Sequence, residues 1–389
     1  MAMATSMTNR SDGRGKLLFT PGPLTTSRVV KEAMLQDLGS RDTAFIDTVR
    51  RIRHRLLELG GVSQEGGYEA ILMQGSGTFG LEAVVSSTVP RGGRLLVVVN
   101  GAYGERIVKM TGVLGVDTRV LRYAENTPFD VEEIRRVLAE DPAITNVSAV
   151  HCETTTGLLN PIEELGAVVR EAGRYFFVDA MSSFGAIPLD VEAAGIDFMV
   201  TSANKCLEGV PGFSIILARR EALLATEGAA RTLSLDVQAQ WRGLEANGQF
   251  RFTPPTHTIL ALEQALQELA EEGGIAGRAA RYRANHAALT AGMRRLGFRV
   301  YLRPEHQGYI ISSFHYPDDP NFSFEAFYEH LNEKGLVIYP GKLTHANCFR
   351  IGNIGRVFTP DIERLVAAIE QTLSEMDVSL AATSTASSA

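Results

Sequence analysis

The chain is poor in cysteine, in tryptophan and in long apolar runs, and it carries no excess of positive charge. Its three cysteines, Cys152, Cys206 and Cys348, are odd in number and widely spaced. That fits neither a disulfide framework nor a zinc cluster and points to a reducing compartment. No apolar stretch approaches the length that spans a bilayer. Met1 to Gly15 is polar and lacks the apolar core of a secretory signal. Lys+Arg number 38 against 45 Asp+Glu, a net charge of −7, and no Lys/Arg-rich run stands out. Nucleic acid and anionic membrane are therefore poor partners. A cytoplasmic protein is expected, in which local arginines and helix N-termini hold any anionic ligand against the global field.

What is present is an ordinary globular balance, 45% hydrophobic and 21% charged over 389 residues, enough for more than one domain. From about Tyr68, short apolar runs alternate with helical patterns. Arg94–Asn100, Val147–Glu153, Arg174–Ala180, Asp197–Ser202 and Phe213–Arg219 are nearly unbroken and rich in Val, Ile and Phe, as strands buried on both faces are. Between them, Gly104–Leu114, Val131–Glu140 and Ile162–Ala172 show helical spacing. The alternation predicts an α/β fold, a mostly parallel sheet with helices on both faces, whose ligands bind beyond the carboxyl ends of the strands. After FTPPTHT (Phe252–Thr258) the pattern changes. Two long helices, strands at Phe298–Leu302 and Tyr309–His315, a helix at Phe324–Lys334 and a last one at Thr359–Met376 predict a smaller α+β domain. The expected organisation is a disordered segment 1–16, a large domain 17–255 whose residues 17–35 also pack on the small one, a small domain 256–376, and a disordered Ser/Ala/Thr-rich tail 377–389.

Three motifs fall at predicted strand ends. QGSGTFG is a glycine-rich turn entering a helix, an anion site in which Ser76, Gly77 and Thr78 offer N–H and hydroxyl donors. FFVDAMSS ends a buried strand on Asp179, a carboxylate that needs a cation or a protonated nitrogen there. TSANK places Lys205 one strand later, where burial depresses an amine's pKa and makes it a nucleophile toward an aldehyde. Each has an ordinary reading in isolation: a strand-to-helix turn, a helix cap, a solvated loop lysine. Together they ask for one ligand with a phosphate, a basic ring nitrogen and an aldehyde, and pyridoxal phosphate has all three. Tyr103, in NGAYGER, is placed to stack on its ring or to pack on the following helix. Thr154 and Thr155, in HCETTTG, offer hydroxyls to its phenolic oxygen. His151 and His257 adjoin these motifs without metal-ligand spacing, so turn or core roles suit them, and no metal is expected.

These motifs, in this order, resemble the class V, fold-type-I aminotransferases. LLFTPGPLTTSRVVKEAML, NGAYG, VHCETTTGLLNPIEE, VDAMSSFGAIP, SANKCLEGVPGF, RFTPPTHT, VIYPGK and CFRIGNIG carry the resemblance, which runs from about Leu17 to Met376. It implies a homodimer with shared active sites. Thr253 would reach the cofactor phosphate from the partner subunit, Ser202 and Asn204 would lie near the phosphate and the lysine, and Met181 would pack on the ring face opposite Tyr103. Arg350 would bind the substrate carboxylate. Arg41 is open between a substrate ligand and a structural ion pair, Thr20 and its loop would assist, and Lys342 is expected to be solvated. Within the family the resemblance implies 2-aminoethylphosphonate as amino donor and pyruvate as acceptor. An alanine–glyoxylate or serine–pyruvate activity shares fold, cofactor and Arg350 and differs in the donor. A desulfurase would need a nucleophilic cysteine on a mobile loop, whereas Cys348 falls in a predicted strand. A non-catalytic binding protein would have no use for Lys205.

Overall fold

Runs such as LLVVV and FFVD carry no polar face to turn to water, so they are stable only where layers cover both sides. The computed structural model, which describes residues 15–341, 343 and 346–380, puts them in the middle of a layered sheet. Residues 1–14 and 381–389 of the termini expected to be disordered, and Lys342, lie outside the described residues.

The large domain contains α1 (Arg28–Glu32), α2 (Thr43–Leu59), β2 (Tyr68–Gln74), α3 (Gly77–Thr88), β3 (Arg94–Val99), α4 (Ala102–Leu114), β4 (Asp117–Arg122), α5 (Val131–Glu140), β5 (Ile144–Val150), β6 (Cys152–Glu153), β7 (Leu158–Leu159), α6 (Ile162–Glu171), β8 (Tyr175–Asp179), β9 (Phe198–Ser202), β10 (Phe213–Arg219), α7 (Arg220–Leu224), α8 (Val237–Asn247) and α9 (Thr256–Glu271); β1 (Leu17–Leu18) precedes them. Seven strands form the central sheet in the order β2-β10-β9-β8-β5-β3-β4. Every pairing from β9 to β4 is parallel, while β10 is antiparallel to both β2 and β9. The chain thus adopts the expected mostly parallel sheet flanked by helices. Local signals agree with it: Asp130 caps α5 by accepting the N–H groups of Glu132 and Glu133, and α4 stops at Gly115 in the left-handed conformation.

The small domain holds α10 (Gly274–Arg295), β11 (Ile311–His315), α11 (Phe324–Glu333), β12 (Leu336–Val337), β13 (Tyr339–Pro340), β14 (Cys348–Gly352) and α12 (Thr359–Glu375). Its antiparallel sheet runs β11-β14-β13, and Phe298, Phe314, Phe327 and Phe349 fill its core. The strand expected over Phe298–Leu302 reduces to one bridge, Val300 to Phe314, because a 3-10 turn at Pro304–His306 ends the extended chain. The domains also exchange elements. β1 pairs in parallel with β12, and Leu17 and Phe19 lie in the small-domain core. Ile259, Leu262, Leu266 and Leu269 of α9 belong to the large core. Gly273 and Gly274, both at positive φ, make the turn from α9 into α10. Packed chain also continues past Met376, since Val378 is buried in the small core.

A buried ionic cluster joins the domains behind Lys205. Glu208, held at φ 60, accepts from Tyr282 Oη at 2.6 Å and Arg281 Nη2 at 2.7 Å, while Arg278 Nη1 donates to the Cys206 carbonyl at 2.7 Å. The loop that bears Lys205 is so tied to α10.

Candidate active site

In a parallel sheet all carboxyl ends open on one edge. Asp179 is the last residue of β8, Lys205 follows β9, Tyr103 starts α4 after β3, and Thr155 follows β6. Lys205 Nζ donates to the Pro21 carbonyl at 2.6 Å, and the loop from Thr20 to Pro23 lies over it, so closely that a Cβ on Gly22 would meet Lys205 Cδ at 2.7 Å. Burial lowers its pKa, Arg350 adds to this, and Tyr103, Cys206 and Asp179 oppose it.

Asp179 is 1% exposed and accepts the Met181 N–H at 2.9 Å. Burial pushes its carboxyl up to about 6, against the pull of that N–H and of Lys205 and Arg106. A carboxylate so placed is short of a cation. Beside it α3 begins without a side-chain cap at Ser76, leaving first-turn N–H groups for an anion. A Cβ on Gly77 would stand 2.2 Å from Met181 Sδ, so glycine alone lets the turn close on Met181. Ser76 is exposed, Thr78 half-buried, and Ser202 buried at the end of β9.

Arg350, buried in β14, donates from Nε to the Pro340 carbonyl at 3.0 Å and from Nη1 to the Thr154 carbonyl at 2.8 Å. The latter bond joins the small-domain strand to the large-domain site. Thr20 is buried with its hydroxyl turned to the Pro23 carbonyl of its own loop. Two expected residues are not gathered with these: Arg41 is exposed on the turn before α2, and Thr253 is exposed with its carbonyl held by Gln74.

Sequence reasoning passed over Glu153, whose signal was a charge at a buried strand end. It is fully buried; Oε1 accepts from Thr155 Oγ1 at 2.6 Å and from the Thr155 N–H at 3.0 Å, and Oε2 from the N–H groups of Tyr103 and Gly104 at 3.3 and 3.4 Å. Thr155 Oγ1 in turn accepts the Ala102 N–H at 2.9 Å. Glu153 so fixes the start of α4, and with it Tyr103. Burial raises its carboxyl from 4.5 to about 7. The folded chain then holds a proton that the unfolded chain has lost, so this group's contribution is full below pH 4.5 and disappears as pH rises through 7. Relative to Glu153→Gln, the apoprotein should lose on the order of 3 kcal/mol between about pH 5 and about pH 8. Melting curves across that range check this, and a constant difference between the two proteins would refute it.

Of the histidines, His151 is buried and pushed down to about 4 by burial, and His257 is exposed and paired with Asp37 at 2.9 Å. Cys348 sits in β14 with its thiol pushed up to about 11 by burial, a poor nucleophile. Among the described residues no group of His, Cys, Asp and Glu is arranged to hold a metal, and no helix is long and apolar enough to cross a membrane.

A lysine, an aspartate and an uncapped helix start converge at the carboxyl edge of such a sheet, and their chemistry fits a ligand with an aldehyde, a basic ring nitrogen and a phosphate, as pyridoxal phosphate has. The family model of the class V aminotransferases matches residues 31–354, and the chain belongs to that family. It is 50% identical over 358 residues, 92% of this chain and 97% of the relative, to 2-aminoethylphosphonate–pyruvate transaminase of Salmonella paratyphi B. Among solved structures it is similar to alanine–glyoxylate aminotransferase from Nostoc sp., with a TM-score of 0.86 at 27% identity over 92% of this chain and 96% of that one. Ureidoglycine–glyoxylate aminotransferase from Bacillus subtilis shares the fold at a TM-score of 0.86 and 23% identity, covering 95% of both chains.

Proposed function

We propose that this chain moves the amino group of 2-aminoethylphosphonate to pyruvate, giving phosphonoacetaldehyde and L-alanine, as a homodimer that uses pyridoxal 5'-phosphate. The observation that carries the reading is 50% identity, sustained over 92% of the chain, to a transaminase of that name. Pyridoxal phosphate, when bound, supplies an aldehyde to take up the amino group and an electron-withdrawing ring that acidifies the adjacent C–H.

The chain's own residues do the rest. When the cofactor is bound, Asp179 would hold positive charge at its pyridine nitrogen, Tyr103 and Met181 would pack on its ring, and Thr155 would offer a hydroxyl. The α3 start, with Ser76, Gly77, Thr78 and Ser202, would take the phosphate. Lys205, shifted toward its neutral form by burial, would anchor the cofactor and would move the proton at the carbon next to the donor nitrogen. The loop around Pro21 excludes water from that amine. Carbonyls occupy Nε and one hydrogen of Nη1 of Arg350, which leaves the Nη1–Nη2 edge for a carboxylate in one half-reaction and a phosphonate in the other. Arg41 and the Thr20 loop assist the phosphonate. Thr253 serves the neighbouring copy's phosphate. Phe79 and Phe252, 52% and 44% exposed, belong to α3 and to the segment bonded to Gln74, and they give a partner apolar surface to cover.

Protein loaded with pyridoxal phosphate, given 2-aminoethylphosphonate and no acceptor, should change absorbance to the amine form of the cofactor and release phosphonoacetaldehyde. Added pyruvate should restore the starting spectrum with one L-alanine per turnover. A protein that ignores the phosphonate and is converted by L-alanine or L-serine instead would overturn the donor.

A further inference from the structure

The glycine-rich turn QGSGTFG contains neither Lys nor Arg, yet it is the segment that meets a dianionic phosphate in a chain of net charge −7. Neutral donors orient such a group but leave its charge uncompensated in a half-buried setting. The missing charge stands on the neighbouring helix. Arg106 lies three residues after Tyr103 on α4, on the same helix face. Its guanidinium carbon is 4.8 Å from the centroid of the Tyr103 ring, and its Nη1 donates to Thr78 Oγ1 at 3.3 Å. It is half-buried, and among the described residues no carboxylate lies within ion-pair reach of it. Its chain neighbour Glu105, the obvious candidate, is engaged with Arg122 at 2.6 Å. Arg94 and Arg219, also partly buried, have acidic partners, and Arg231 is satisfied by the Ser86 and Val89 carbonyls, whereas Arg106 meets a hydroxyl and a ring. A cation without an anion, touching the one turn built for an anion, is an unfinished ion pair.

We propose that Arg106 is the counter-charge of the cofactor phosphate, a positioning residue that holds the Thr78 hydroxyl and the Tyr103 ring while its charge favours the phosphorylated cofactor over the unphosphorylated one. Burial raises Asp179, and Arg106 opposes that rise, so its field also spans the site. The inference rests on pyridoxal phosphate as the cofactor and is independent of which amine is the donor.

The test compares pyridoxal 5'-phosphate with pyridoxal, which has the same ring and aldehyde and no phosphate. Full-length apoprotein is titrated with each, and the absorbance of lysine-bound cofactor is read in the absence of any amino donor, for wild type, Arg106→Gln and Arg106→Lys. In Arg106→Gln the Kd of pyridoxal phosphate should rise roughly 10- to 100-fold, as loss of a charged hydrogen bond does, while that of pyridoxal changes little. Arg106→Lys keeps the charge and should keep most of the preference. Equal losses for both ligands would reduce Arg106 to packing on Tyr103, and an unchanged ratio in Arg106→Gln, or a preference lost equally in Arg106→Lys, would overturn the counter-charge. Wild-type protein that binds neither ligand would instead sink the cofactor assignment, and a failed phosphonate reaction beside the expected titrations would condemn only the donor.

Discussion

Lys205→Ala should lower transamination by at least about ten-thousand-fold, since proton transfer by a placed base contributes up to about that factor and this amine is also the nucleophile. The two roles fall on one atom because of where the chain puts it. Nζ sits under the 20–23 loop, half-buried, with a carbonyl rather than a carboxylate as its partner. A carbonyl accepts a hydrogen bond without adding a formal negative charge that would hold the amine fully protonated, and burial drives it toward the neutral form. Steady-state rates for wild type and variant, with cofactor content measured in parallel, check the expectation. The phosphate and Asp179 contacts do not involve Nζ, so the variant should still take up cofactor. Retention of more than about one hundredth of the wild-type rate would place the base elsewhere.

Asp179→Asn should move two measurements in opposite directions. Activity falls by about a hundred- to a thousandfold, the usual effect of removing one preorganised electrostatic partner of developing charge. The apoprotein, in contrast, gains stability. The carboxyl has a folded-state pKa near 6 against 3.8 for the free group, so its burial costs stability that is fully lost above pH 6 and absent below pH 3.8. Asparagine keeps an oxygen for the Met181 N–H and carries no charge to desolvate. At about pH 8 the variant apoprotein should therefore melt a few degrees higher than wild type, corresponding to roughly 2–3 kcal/mol. Adding pyridoxal phosphate should then reverse the order, since the cofactor supplies the positive nitrogen only wild type can pair with. A variant apoprotein less stable than wild type at that pH would contradict the account.

The carboxyl-edge site was readable in the sequence wherever chemistry coincided with a strand end. Asp179 and Lys205 each follow an apolar run, so period and punctuation marked them as candidates, whereas Arg350, within CFRIG, came from the family resemblance. What escaped had no such signature. Glu153 looked like one polar residue among threonines, and its role comes from amides of Tyr103 and Gly104 some fifty residues earlier. Arg106 and Arg281 sit at ordinary spacing on helices, where arginines are most often solvated, and only tertiary packing turns them inward. The edge strand β4, DTRVLR, is half-exposed and mixes charge with apolar residues, so it lacked the run that marked its neighbours. Strand direction is invisible to periodicity, which is why β10 reads like β9 although it runs the other way. The role of Thr253 across a dimer, and that of Arg41 at the substrate, rest on the family resemblance, and both residues are exposed on a single chain.

The pairing of β1 with β12 also bears on how the protein is made. Leu17 pairs with Leu336, more than 300 residues further along the chain, so it is synthesised long before its partner. The loop that contacts Lys205 follows β1 directly, so it has no anchored position until the small domain exists. A nascent chain with the whole large domain already out would have its sheet, its Asp179 and its lysine, but an open roof. The reactive amine is therefore covered only once β12 has been made and β1 has paired with it, and closure of that very long loop is the step at which a product stalled before β12 would differ from the finished enzyme.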